Sequence, residues 1–174
     1  MSLELMDLVN EKDEVIGVID RNSKDFKDKK NIRGVNLFLL TKNNKVVIPK
    51  RSGNRRIFPN CYDFSVAGMV DSGEDYETAM YRETKEELLL ENVSLKEIGY
   101  LNPYKDKSSM FLKVYIGYIN HKIKDFDKDG ISDIYYLTIE EIDKLLKNSP
   151  ELFKTSFKIS FNLLKNYLKA NSAL

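Results

Sequence analysis

The sequence predicts an α/β fold, a mixed β-sheet with helices on both sides, in one domain spanning residues 1–174. Three observations carry this. Short β-rich runs recur along most of the chain. An acidic segment of helix-forming composition interrupts them between Asp71 and Glu91. A stripe of Phe153, Phe157, Phe161, Leu164 and Leu168 at helical spacing closes the chain. A length of 174 residues and a hydrophobic content of 42% suit one domain with a substantial core.

The elements follow in order. Val15–Ile19 reads as a short strand after the turn-forming Asn10–Asp13, within an N-terminal strand and lead-in over 1–33. Val35–Leu40 is a second strand. Asn43-Asn44 turns it back into Val46–Ile48. Tyr62–Val66 is a further short strand. The stretch from Asp71 to Glu91 lacks Pro, and lacks Gly after Gly73, so it predicts a helix. Val93–Leu101 and Phe111–Ile119 are β-rich, with a polar loop between, and Ile134–Leu137 is the last strand. Thr138 with Glu141 forms a capping-box pattern, predicting a helix to about Lys147. Ser149-Pro150 reads as a second helix start, giving a C-terminal helix over 150–170 whose apolar stripe serves the core or a homodimer contact.

Composition narrows the function. No run approaches the roughly 18 apolar residues that span a bilayer. The single cysteine, Cys61, cannot form an internal disulfide. With no signal-peptide pattern at the N-terminus, the expectation is a soluble cytoplasmic protein without a membrane partner. A net charge of +1 and the lack of a basic stripe with interleaved aromatics argue against a nucleic-acid partner. The charges are nonetheless segregated. Eight acids lie between Asp71 and Glu91, and Lys50, Arg51, Arg55 and Arg56 cluster just upstream.

On a helical wheel with Glu83 at zero, Glu86 falls at about −60° and Glu87 at about +40°. Tyr76, Ala79, Met80, Thr84 and Leu88 spread from about −40° to +140°, so Glu83 and Glu87 lie inside the apolar stripe. Carboxylates there need a partner. Arg82 and Lys85 point elsewhere on the wheel and cannot serve all three. A hard divalent cation could; so could arginines from elsewhere in the fold.

Gly68, Glu74, Arg82-Glu83 and Glu86-Glu87 stand in the spacing G-x5-E-x7-R-E-U-x-E-E-x-G-U, which resembles the Nudix box over residues 68–90. Thr84 replaces an apolar residue and Leu89 the second glycine. That absence suggests a helix running further, ending near Asn92. Asp7–Gly17, Val47–Ser52 and Phe58–Gly68 also resemble a Nudix subgroup that includes isopentenyl-diphosphate isomerase, so the likeness covers about Asp7 to Leu146. It implies a Nudix-type α/β/α sandwich that hydrolyses the pyrophosphate bond of a nucleoside diphosphate linked to another moiety. It implies Mg²⁺ or Mn²⁺ bound by Glu83, Glu86 and Glu87 with the backbone carbonyl of Ala67 or Gly68. Arg82 would orient the carboxylates, and Glu74 would hold the set or a water. Lys50, Arg51 and Arg55 or Arg56 are candidates to clamp the diphosphate. Gly130 occupies a place where the family commonly has a catalytic glutamate; Asp125, Asp127 and Asp129 are near enough to substitute.

Isomerase chemistry in this family uses a cysteine just before the box glycine and several metal-binding histidines. Here Ala67 precedes Gly68, Met69 follows it, and His121 is the only histidine. Two alternatives to hydrolysis stay open: an isopentenyl-diphosphate isomerase-like enzyme, which these departures disfavour, and a nucleotide-binding module with the box but weak turnover. Substrate identity would lie in the loops Arg51–Phe58 and Pro103–Ser109.

Overall fold

The computed structural model describes residues 4–26 and 30–171. The spans 1–174 and 1–33 read from the sequence include residues 1–3, 27–29 and 172–174, which lie outside the described residues. The elements are β1 (Leu5–Val9), β2 (Val15–Asp20), β3 (Arg33–Thr41), β4 (Val46–Arg51), β5 (Val66–Met69), α1 (Tyr76–Leu88), β6 (Leu95–Leu101), β7 (Phe111–Ile119), β8 (Ile131–Leu137), α2 (Ile139–Asn148) and α3 (Phe157–Ala170). No helix among the described residues is long and apolar enough to cross a membrane.

β1 and β2 form an antiparallel ribbon. The main sheet runs β6-β7-β3-β4-β8, with β5 also on β3. β3 and β7 are parallel and the other pairs antiparallel, so the sheet is mixed as predicted. One edge of β3 divides between two partners. Its far end meets β4 at Leu40↔Val46, and its first half pairs with β5 from Gly34↔Met69 to Leu37↔Val66. Ser65 bridges the split. Its hydroxyl donates to the Val47 carbonyl at 2.6 Å and accepts from the Leu39 N–H at 2.8 Å. The buried strand ends therefore keep their hydrogen bonds where the ladder opens.

Strand alternation sends Val35, Leu37 and Leu39 to one face, against Ala79, Met80 and Leu88 of α1. Phe38 and Leu40 face the other way, against Phe157, Phe161, Leu164 and Leu168 of α3 and Ile142 of α2. Helices thus cover both faces. Phe38, Phe64, Phe157 and Phe161 pack with ring centroids 5.1 to 6.1 Å apart. The C-terminal stripe is core, which leaves it no surface to offer a second copy.

Several boundaries differ from expectation. The strand read at Tyr62–Val66 begins only at Val66; Tyr62 makes isolated bridges to Lys50 and Phe153. β1 was not read separately. Asp75 caps α1, accepting from the Thr78 N–H at 2.8 Å, so the helix spans less than Asp71–Glu91. It also stops before Asn92. Leu89 itself turns left-handed at φ 52°, and the N–H groups of Leu89 and Leu90 close onto Lys85 and Thr84. A leucine does what glycine does elsewhere, at a cost of roughly 1 kcal/mol. The Thr138–Glu141 capping box forms as read. Ser149-Pro150, however, starts only the 3-10 turn Pro150–Leu152. Phe153 then extends to bridge Tyr62, and α3 begins at Phe157.

Candidate active site

α1 lies over β5, and the closest approach is at Gly68. A Cβ there would coincide with the Glu83 carboxyl group, so only glycine lets the two elements meet. The neighbouring Ala67 N–H donates to Glu87 Oε2 at 3.1 Å. The strand edge and the helix thus share a seam lined by Glu83 and Glu87.

Arg82 organises one side of that seam. Its Nε and Nη2 each donate to Glu74 at 3.0 Å, and Nη2 also donates to the Met69 carbonyl at 2.8 Å. Nη1 donates to Glu83 at 2.9 Å and to Glu86 at 3.3 Å. All of the guanidinium's N–H donors are engaged. The wheel placed Arg82 away from the carboxylates, yet its long side chain reaches two of the three and Glu74 besides. These partners, Glu74 first, raise its pKa further. Glu74 also accepts from the Asp71 N–H at 3.2 Å, closing the turn before the helix. Thr84, the departure from an apolar residue, is buried with its hydroxyl donating to the Met80 carbonyl at 2.7 Å. Arg82→Lys keeps the charge but loses the fork. The expected result is an apparent Mn²⁺ affinity roughly 10–100-fold weaker by calorimetric titration. An unchanged affinity would mean that Arg82 does not orient the carboxylates.

Arg82 does not serve Glu87. Burial pushes the Glu87 carboxyl up to about 8, and the charges of Asp63 and Glu83 push the same way. Lys154 and the Ala67 N–H oppose them. Burial likewise raises Glu83, against the pull of Arg82. Three carboxylates therefore share one side of α1, and among the described residues one of them, Glu87, has no cation in direct contact. Among the described residues no three acidic side chains already stand together as a metal cage. Glu83, Glu86 and Glu87 offer oxygen donors only, the kind a hard divalent cation takes.

The basic residues sort differently from expectation. Arg51 is engaged within the fold. It donates to the carbonyls of Ile57 and Phe58 at 2.9 and 3.0 Å and to Asp63 at 2.8 Å. Arg55 meets Asp127 at 3.3 Å. Lys50 sits at the end of β4, opposite Asp133, with no ion pair among the described residues.

The loop before β8 touches the end of α1, where the Asp127 N–H donates to the Glu87 carbonyl at 2.9 Å. A Cβ at Gly130 would overlap the Arg55 guanidinium and the Asp127 carboxylate. The Arg55–Asp127 pair thus fills the space where a side chain at 130 would begin. Asp129 turns its N–H onto Asp127 at 3.0 Å.

Two residues at the site were not read from the sequence. Asp63, buried between Tyr62 and Phe64, gave a signal: one charge inside a β-rich run. Lys154 gave none, because a distant bridge brings it there.

Residues 30–157 match the family model of the NUDIX domain. The Nudix hydrolase all7351 of Nostoc sp. is 40% identical over 150 residues, covering 85% of this chain and 89% of its own length. A Nudix hydrolase of Deinococcus radiodurans is 41% identical over 117 residues, 66% of this chain and 68% of its own. The crystal structure of DR0079 from Deinococcus radiodurans has a TM-score of 0.83 at 32% identity, covering 93% of this chain and 98% of its own.

Proposed function

Because the chain belongs to the Nudix hydrolase family, we propose that it cleaves the pyrophosphate linkage of a nucleoside diphosphate derivative with Mg²⁺ or Mn²⁺ held by Glu83, Glu86 and Glu87. The observation that carries this is Glu87, held against the Ala67 N–H at 3.1 Å on the same seam as Glu83 and without an ion pair among the described residues, where burial pushes its carboxyl up. The main chain at Ala67 completes the ligand set. A divalent cation bound there would neutralise the diphosphate and make its phosphorus a better electrophile.

The protein's own part is to orient and to exclude. Arg82 fixes Glu74, Glu83 and Glu86 relative to one another. Glu86 is exposed and, among the described residues, paired with Arg82 alone at 3.3 Å, so it would turn to a ligand at little cost. Lys50, near the end of β4, would supply an ammonium group to a phosphate oxygen. Asp127, held by Arg55 at the end of α1, is the carboxylate best supported to take a proton from the attacking water in place of the residue missing at Gly130.

The test is release of phosphate or nucleoside monophosphate from a panel of nucleotide derivatives in Mg²⁺ or Mn²⁺. Glu86→Gln should lower turnover about 100-fold or more, with the melting temperature unchanged, because its side chain is solvent-facing. Background release by the wild type across the panel in both metals would leave a binding module instead.

A further inference from the structure

Asp63 is a buried carboxylate with two cations on it, and the two differ in what else they do. Arg51 is anchored by the Ile57 and Phe58 carbonyls as well as by Asp63. Lys154 reaches Asp63 through one long contact of 3.4 Å. Its remaining ammonium donors have no other partner among the described residues. The backbone beneath it is fixed, since the Lys154 N–H donates to the Tyr62 carbonyl at 3.1 Å and the Tyr62 N–H to Leu152 at 2.7 Å. The side chain above is a quarter exposed. Both Asp63 and Lys154 lie close enough to Glu87 for their charges to act on it.

We infer that Lys154 binds the diphosphate of the substrate beside Glu87, and that Asp63 holds this lysine in place until the substrate arrives. The inference rests on the pyrophosphate chemistry proposed above. An ammonium group is a compact charge on a flexible stem and can swing between two anions. A diphosphate offers several charged oxygens against one distant carboxylate oxygen. Lys154 can leave without stranding a buried charge, because Arg51 stays on Asp63 at 2.8 Å. Lys154 thus joins Lys50 in the clamping part for which the sequence offered Lys50, Arg51 and Arg55 or Arg56.

Calorimetric titration of inorganic pyrophosphate in Mg²⁺ tests this without needing the natural substrate. Lys154→Gln should weaken binding roughly tenfold or more. Lys154→Arg should recover to within about threefold of wild type. Lys165→Gln, the same charge change on α3 where Lys165 pairs with Asp143 at 2.7 Å, should leave affinity unchanged. Melting temperatures confirm that each variant is folded. The inference fails if wild type does not bind pyrophosphate, if Lys154→Gln binds as wild type, or if arginine does not rescue the loss. Absence of hydrolysis across the nucleotide panel would remove the proposed function, while these affinities would still decide the role of Lys154.

Discussion

Glu87→Gln is expected to reduce metal-dependent hydrolysis at least about 1,000-fold, since a cation's stabilisation of the transition state amounts to several kcal/mol. Glutamine keeps the size of the side chain and its acceptor toward the Ala67 N–H, so the seam between α1 and β5 persists. What disappears is the charge. Near-normal turnover at saturating Mg²⁺ would show that Glu87 is not a ligand.

The same variant carries a pH signature of the metal-free protein. Glu87 titrates near 8 in the folded chain against an ordinary value of 4.5. Its folded-state pKa is raised, so its contribution to stability is full below about 4.5 and is lost as pH rises through about 8. In chelator, wild type should melt at progressively lower temperature from about pH 5 to about pH 8 and level off above that. Glu87→Gln should flatten that decline and exceed wild type by roughly 5 °C at pH 9. Cation binding requires the ionised carboxylate, so Mg²⁺ should release a proton at pH 7 and bind more tightly as pH rises toward 8. Parallel melting curves for the two proteins would remove burial of an uncompensated charge as the cause.

What was legible in the sequence was local. The Asn43-Asn44 hairpin, β7 and the Thr138 capping box depend on neighbours a few residues apart, and they form as read. The misreadings share a long-range cause. Tyr62–Val66 has strand composition, but Tyr62 spends its backbone on Leu152 and Lys154, so pairing with β3 begins only at Val66. Ser149-Pro150 has a helix-start signature, but Phe153 extends to meet Tyr62 and delays α3. The spacing of Glu74, Arg82, Glu83, Glu86 and Glu87 picked out side chains that the structure gathers along one seam of α1. The wheel gave the angle of Arg82 and not its reach, so its grip on Glu74, Glu83 and Glu86 was legible only through the resemblance to the box and not from helix geometry. Lys154 was not legible at all, because only that distant bridge carries it to Asp63.

Gly68→Ala isolates the second requirement of the site, the close approach of strand and helix. Gly68 pairs with Val35 in the sheet, where alanine is tolerated by the backbone. The obstacle is the Glu83 carboxyl group, which occupies the place of the new methyl. Glu83 is held at 2.9 Å by Arg82 and is largely buried, so it cannot simply swing into solvent. Either Glu83 leaves Arg82 or α1 lifts from β5. Both move the carboxylates relative to Ala67 by the order of an ångström, a displacement that costs about 100-fold in rate. The expected result is a loss of activity of about 100-fold or more, with a cation affinity that falls alongside. Gly73→Ala provides the contrast. Gly73 sits at φ 80° with open space around it, so alanine there strains the backbone without touching Glu83. It should cost about 1 kcal/mol of stability and leave turnover within a few-fold of wild type. If Gly68→Ala also kept its turnover, the seam between α1 and β5 would not be where the chemistry is held.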